Sequence, residues 1–273
     1  MGRPGPDVGG EKTRKGELLA EGRTAEVYAW GADRVLKLYR TGWTYEVAER
    51  EARRTKIAHD SGAPAPNVHG VLEDRGRPGI LMDRIDGHPM SAAIDLARPE
   101  PAGRALAELH ALLHTRRVPL LRPQHEELAR RIRRAHGLSE AQKAVALARL
   151  DEMPRGDALC HGDFHVDNVI LTSEGPVVID WMDATHGHPL ADVARSLILI
   201  RHAHHHQTDT PRRNAVLHAA ARFGQAYLDH YTEQTETDGE IALAWMATNA
   251  AARLSEGIIV EQRALATLAD LPA

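Results

Sequence analysis

One stretch constrains this chain more than any other. It is His161-Gly162-Asp163-Phe164-His165-Val166-Asp167-Asn168, continued by Val169-Ile170-Leu171, then Thr172-Ser173-Glu174-Gly175-Pro176, then Val177-Val178-Ile179-Asp180-Trp181. Asp163, Asn168 and Asp180 each lie beside or within an apolar run, where a solvated surface charge is not expected. The two short aliphatic runs around a Gly-Pro turn predict a hairpin of buried strands. An antiparallel hairpin brings its outer ends together, so Asn168 and Asp180 are predicted at the same end. A carboxamide and a carboxylate brought together there offer hard oxygen ligands. That donor set suits Mg²⁺, which is usually held by one or two protein oxygens plus phosphates.

Asp163 is a different kind of group. It precedes Asn168 on the loop and is placed to accept a proton from a hydroxyl that attacks phosphorus. His-x-Asp-x-x-x-x-Asn, then a hairpin and a metal-binding Asp, is the order of a phosphotransfer catalytic loop. Loop capping explains any one of the three polar residues, but not all three in this register. Composition narrows the rest. A net charge of -4 implies no nucleic-acid electrostatics. The single cysteine, Cys160, excludes a disulfide framework and fits a reducing, cytoplasmic setting. No apolar run approaches membrane-spanning length. Residues 1–10, rich in Pro and Gly, are expected to be a disordered leader without a signal-peptide core.

Upstream, segments 16–20 and 25–30 flank a turn at Glu21–Thr24 that contains Gly22, and 34–39 follows Gly31-Ala32-Asp33, which predicts a three-strand meander. In a nucleotide site Gly22 would lie over phosphates and Val27 against the adenine face, although one glycine alone makes a weak phosphate loop. Lys37 points opposite to Leu36 and Leu38 and, in a cleft, is a cation for the α- and β-phosphates. The charged, Ala-rich segment 43–58 predicts a helix ending before Ser61-Gly62-Ala63-Pro64. Glu51 is the expected partner of Lys37, with Glu49 as its rival. Segments 67–73 and 77–82 predict a further strand pair, and Asp83-Arg84-Ile85-Asp86-Gly87 leaves the sheet. As a hinge, it would place Met82 behind an adenine, with the Asp83 carbonyl and the Ile85 amide reading its edge.

From residue 88 the texture is helical, with helices predicted over 102–114, 126–135 and 139–150. Arg130-Arg131-Ile132-Arg133-Arg134 reads as a solvated helix face. Asp192 is expected near a helix start, fastening a loop. His202 and His206 have metal-ligand spacing if helical, but no carboxylate accompanies them, and an exposed helix end is the expectation. Residues 211–271 predict two or three helices, with Phe223, Tyr227, Tyr231, Trp245 and Met246 as core or pocket wall.

The 161–170 and 178–181 motifs, with Lys37, the Glu51 helix, 81–87 and 190–194, resemble the aminoglycoside phosphotransferase/choline kinase group of the protein-kinase-like superfamily. The resemblance covers most of the chain after residue 16. It implies an α+β, two-lobed protein-kinase-like fold. An N-terminal nucleotide-binding lobe, 11–87, has an antiparallel sheet, one helix and a hinge at 83–87. A larger, mainly helical lobe, 88–273, carries catalysis and acceptor binding. Asp163 is then the catalytic base or the orienter of the acceptor hydroxyl, Asn168 and Asp180 hold Mg²⁺, and Lys37 binds the phosphates of ATP or GTP. Trp181-Met182 stands where protein kinases have Phe-Gly, and no Ala-Pro-Glu segment follows. Both departures point to a small-molecule acceptor. An aminoglycoside-like acceptor, contacting Asp183, Glu256 and Glu261, would make antibiotic resistance the role. The alternatives are a sugar, an amino alcohol, or choline in a cage of Trp181, Tyr227 and Trp245. Other classes are a nucleotide-binding pseudokinase, opposed by the complete set Lys37, Asp163, Asn168 and Asp180, and a metal hydrolase using His161, Asp163 and His165. The expected partners are a nucleoside triphosphate and a small acceptor, with no nucleic acid and no membrane; nothing indicates the oligomeric state.

Overall fold

The computed structural model describes residues 15–202 and 210–269. The expected leader, the side chain of His202 and all of His206 lie outside the described residues. In chain order the strands are β1 (Lys15–Glu21), β2 (Ala25–Trp30), β3 (Arg34–Tyr39), β4 (Val68–Asp74), β5 (Arg77–Asp83), β6 (His88–Pro89), β7 (Ala158–Cys160), β8 (Val169–Thr172), β9 (Gly175–Val178) and β10 (Thr185–Gly187). The helices are α1 (Tyr45–Asp60), α2 (Glu100–His114), α3 (Gln124–Arg133), α4 (Glu140–Glu152), α5 (Pro189–His202), α6 (Thr210–Thr235), α7 (Gly239–Arg253) and α8 (Ile259–Ala269). They form two compact units, Met1–His88 with Val169–Met182, and Pro89–Asn168 with Asp183–Ala273.

The first unit is an antiparallel sheet in the order β1-β2-β3-β5-β4. Alternation along β3 sends Leu36 and Leu38, both fully buried, to one face and Lys37 and Tyr39 to the other. The helix α1 covers the Tyr39 face. Its Ala48 and Ala52 pack with Ala25, Tyr39 and Ile80, because small side chains let the helix approach the sheet closely. Ala48, Glu51, Ala52, Thr55 and Ala58 recur at helical spacing and are all buried, so a carboxylate stands in an otherwise apolar stripe. The β8–β9 hairpin belongs to this unit, whereas the sequence grouped it with residues 88–273. The Val178 amide donates to the Pro64 carbonyl at 2.7 Å, and Arg54 donates to the Met182 carbonyl. Val169 pairs with Val178 and Thr172 with Gly175, so Ser173 and Glu174 alone make the turn. Gly175 and Pro176 begin the return strand instead, a position where proline's missing amide is tolerated.

The second unit is mainly helical. α2 lies along α6 at Gly103, where a Cβ would come within 2.6 Å of the Phe223 carbonyl oxygen. α4 opens with a capping box between Ser139 and Gln142. α5 and α7 are joined by Asn249, whose amide donates to the Ala191 carbonyl at 3.1 Å. Phe223, Tyr227, Tyr231, Trp245 and Met246 are all buried in this core. Among the described residues no helix is long and apolar enough to cross a membrane.

Candidate active site

In the first unit Val27 pairs with Lys37 across β2 and β3, so the two share a face. Lys37 Nζ lies 2.6 Å from Glu51 Oε1 and 3.3 Å from Asp180 Oδ1. Glu51 is 2% exposed and also accepts from the Tyr39 hydroxyl; Glu49 is exposed on another face of α1. Burial alone would lower the Lys37 pKa, but the charges of Glu51 and Asp180 outweigh it and hold the ammonium above the ordinary lysine value. Asp180 adopts a left-handed conformation, φ 63°, which Asp tolerates better than most residues. Gly22 closes the β1–β2 turn, its amide donating to the Ala25 carbonyl at 2.9 Å, while its own carbonyl accepts from Arg40. Met82 packs against the sheet–helix cluster. The Asp83 carboxylate accepts from the Asn67 amide at 3.2 Å and contacts His69 Nε2 at 2.6 Å, and Ile85 follows, half-buried.

In the second unit Asp192, on the first turn of α5, fixes the 161–168 loop from behind. Its Oδ2 accepts from the His161 amide at 2.5 Å and its Oδ1 from the Gly162 amide at 2.9 Å. Gly162 has φ 80°, and a Cβ there would meet the Asp183 carbonyl oxygen at 2.5 Å, so the bend admits only glycine. The loop then turns back on itself, Asn168 Nδ2 donating to the Asp163 carbonyl at 2.9 Å. The Asp163 side chain stays 33% exposed, with Oδ1 3.2 Å from Arg195 Nη2 and Oδ2 3.7 Å from His165 Nε2. Burial would raise the Asp163 pKa; His165 and Arg195 overcome it and hold the carboxyl well below the usual range. Burial likewise opposes charge on His165, but Asp163 and Asp167 push it up to about 9.

Asp192 is itself buttressed. His110 Nε2 lies 3.0 Å and His114 Nε2 3.5 Å from Asp192 Oδ2, while the two Nδ1 atoms lie 2.6 Å from the hydroxyls of Tyr227 and Tyr231. Burial drives His110 down to about 3, so it is neutral at physiological pH. Among the described residues His110, His114 and Asp192 are the one group with metal-ligand geometry. Asp192 already carries two backbone amides, and the histidines are tied to tyrosines, which makes the group a structural brace. His161, Asp163 and His165 form no such group, so the ligand set of the hydrolase alternative is missing.

The acidic residues expected at the acceptor are each met by arginine. Asp183 Oδ1 lies 2.6 Å from Arg131 Nη2. Glu256 contacts Arg195 at 2.6 Å, Arg253 at 3.0 Å and Arg131 at 3.5 Å. Glu261 takes Arg253 bidentately, at 2.6 and 2.9 Å. Arg131 departs from the solvated face expected for 130–134: it is 13% exposed, because it borders the buried Leu128 and Ile132, whereas Arg133 and Arg134 are exposed. Trp181, Tyr227 and Trp245 are fully buried, so none presents the ring face that the choline alternative would need. Arg195 escaped the sequence reading, although a charge flanked by Val193, Ala194 and Leu197 carries the same signal as Asp163.

Comparison with known proteins adds to this geometry. The model of the phosphotransferase enzyme family matches residues 15–252. Acyl-CoA dehydrogenase family member 10 of Mus musculus is 29% identical over 175 residues, a match spanning 55% of this chain and only 16% of that protein. Aminoglycoside-3'-phosphotransferase of type VIII superposes with a TM-score of 0.58 at 22% identity, over 88% of this chain and 90% of its own. A choline/ethanolamine kinase family protein from Mesorhizobium loti gives 0.52 at 17% identity, over 93% and 84%. An amicoumacin kinase gives 0.57 at 16%, over 92% and 86%. The five-stranded sheet and the larger helical part are therefore those of the two-lobed, kinase-like fold. With the family model covering residues 15–252, the chain belongs to the phosphotransferase enzyme family.

Proposed function

We propose that the chain transfers the γ-phosphate of ATP or GTP to the hydroxyl of a small molecule. The observation that carries this reading is Asp163: an ionised, part-exposed carboxylate on a loop whose backbone Asp192 fixes. The acceptor hydroxyl attacks phosphorus in line, its proton passes to Asp163, and the bond to the β-phosphate breaks to release the diphosphate. Lys37, kept charged by Glu51, contacts the α- and β-phosphates. Gly22 and Val27 lie along the nucleotide, and Met82, Asp83 and Ile85 hold the base. Asn168 and Asp180 would each give Mg²⁺ a hard oxygen: the Asn168 amide nitrogen is used on the Asp163 carbonyl, which leaves Oδ1 as its donor, and Asp180 offers a carboxylate. Bound there, the ion would supply neutralisation of phosphate charge.

The structures that share the fold include kinases named for aminoglycosides, amicoumacin and choline or ethanolamine. An aminoglycoside-like acceptor would use Asp183, Glu256 and Glu261, but their pairing with arginines favours a metabolite alcohol over a polycation. The lone, buried Cys160 supports a reducing, cytoplasmic setting. Acceptor-dependent release of ADP or GDP tests the reading, and Asp163→Asn is expected to lower it by roughly 10²–10⁴-fold. Unchanged turnover would remove Asp163 from its role.

A further inference from the structure

We propose that the acceptor carries a carboxylate. Arg131, Arg195 and Arg253 anchor it, and the Glu256 side chain occupies that anchor in the free protein. This rests on the phosphotransfer reading and names its substrate class.

Three guanidiniums on three different helices converge on the Glu256 carboxylate, at 2.6, 3.0 and 3.5 Å. Their side chains are only 6, 7 and 13% exposed. Buried arginines gathered around one carboxylate are the arrangement that recognises carboxylates in ligands, because the planar fork matches their oxygens. Each arginine also has an acid of its own: Arg131 has Asp183, Arg253 has Glu261, and Arg195 has Asp163. Glu256 is the one acid that all three share. A ligand carboxylate in its place leaves the charge balance unchanged and no guanidinium unpaired. Glu256 also borders solvent, its side chain 21% exposed, and so has somewhere to turn. It ends a 3-10 turn, Leu254–Glu256, and Gly257 follows with φ 67°.

The same three arginines line a cavity that Gly162 of the Asp163 loop also lines. At about 30 Å³ it holds only a water or two, and Glu256 occupies the three guanidiniums, so a ligand carboxylate reaches them only as that side chain leaves. Arg195 Nη2 touches both the Glu256 carboxylate, at 2.6 Å, and Asp163 Oδ1, at 3.2 Å. A ligand carboxylate at the Glu256 position is therefore two hydrogen bonds from the base, which suits a hydroxyl carried roughly two to four carbons away. A cationic acceptor would have to draw Glu256 and Asp183 from guanidiniums already seated on them.

The test is calorimetric titration of the full chain with ω-hydroxy carboxylates of three to six carbons, their methyl esters and the matching amino alcohols. Release of diphosphate from Mg²⁺–ATP is measured in parallel. The free acids are expected to bind and the esters and amino alcohols not. Glu256→Gln removes the internal competitor and is expected to tighten acid binding about tenfold, while Arg131→Gln weakens it by about the same factor. Because Arg131→Gln strands buried carboxylates and endangers folding, the half-buried Glu256 decides. Weaker acid binding in Glu256→Gln, or no acid binding below about 10 mM in the wild type, overturns the proposal. Turnover of amino alcohols but not of acids also overturns it and leaves phosphotransfer standing. Acid binding without diphosphate release keeps the anchor and overturns the phosphotransfer reading.

Discussion

Glu51 shows how a single buried charge is made tolerable. It takes the Lys37 ammonium on one oxygen and the Tyr39 hydroxyl on the other, inside the sheet–helix core. Glu51→Ala leaves the Lys37 ammonium with Asp180 alone and the Tyr39 hydroxyl without its acceptor, so an unfolding free-energy loss of about 3 kcal/mol is expected in denaturant titration, because breaking a buried pair costs far more than an exposed one. A loss below about 0.5 kcal/mol would show that water already screens the pair. Asp163, Asn168, Asp180 and Lys37 stand out in the sequence because each interrupts an apolar run. The pairing of Arg131 with Asp183, 52 positions apart, does not, since nothing local in α3 names a partner from a distant loop.

At the scale of the element, the 161–168 loop is held by backbone more than by side chains. Asp192 takes two of its amides, and Gly162 makes the left-handed bend. Gly162→Ala adds a Cβ against the Asp183 carbonyl at an unfavourable φ, and should destabilise by about 1–3 kcal/mol. Turnover should fall at least tenfold while the nucleotide KM holds, since Asp163 alone is displaced; a change confined to KM would contradict this. The hairpin was legible from its two aliphatic runs, and its turn was not. Gly-Pro signals a turn in isolation, but the Val169–Val178 register leaves only Ser173 and Glu174 to make it. The anchoring of the loop on α5 was legible as far as Asp192. The His110 and His114 brace behind it was not, because in the sequence those histidines merge with the apolar stripe of α2.

For the whole molecule, the buried brace makes stability depend on pH. His110 titrates near 3 when folded, against about 6.5 for an unperturbed histidine, so its contribution is complete above about 6.5 and is lost as pH falls from there toward 3. In that window the unfolded chain binds the extra proton, worth about 1.4 kcal/mol for each pH unit. The unfolding free energy should fall between pH 6.5 and 4.5, and His110→Asn should make that slope shallower by about one proton. An unchanged slope would mean that His110 accepts its proton in the folded state. The family and two-lobed fold were legible from the spacing of a few polar residues, whereas the acceptor's chemistry waits on ion pairs that form only in three dimensions. The most direct measurement is release of ADP and GDP with Mg²⁺ across hydroxy acids, sugars, amino alcohols, choline and aminoglycosides, with Asp163→Asn as the blank. We expect one acceptor class to stimulate release in the wild type and none in the variant. Nucleotide binding with no stimulated release, or equal release from the variant, would contradict a kinase built on Asp163.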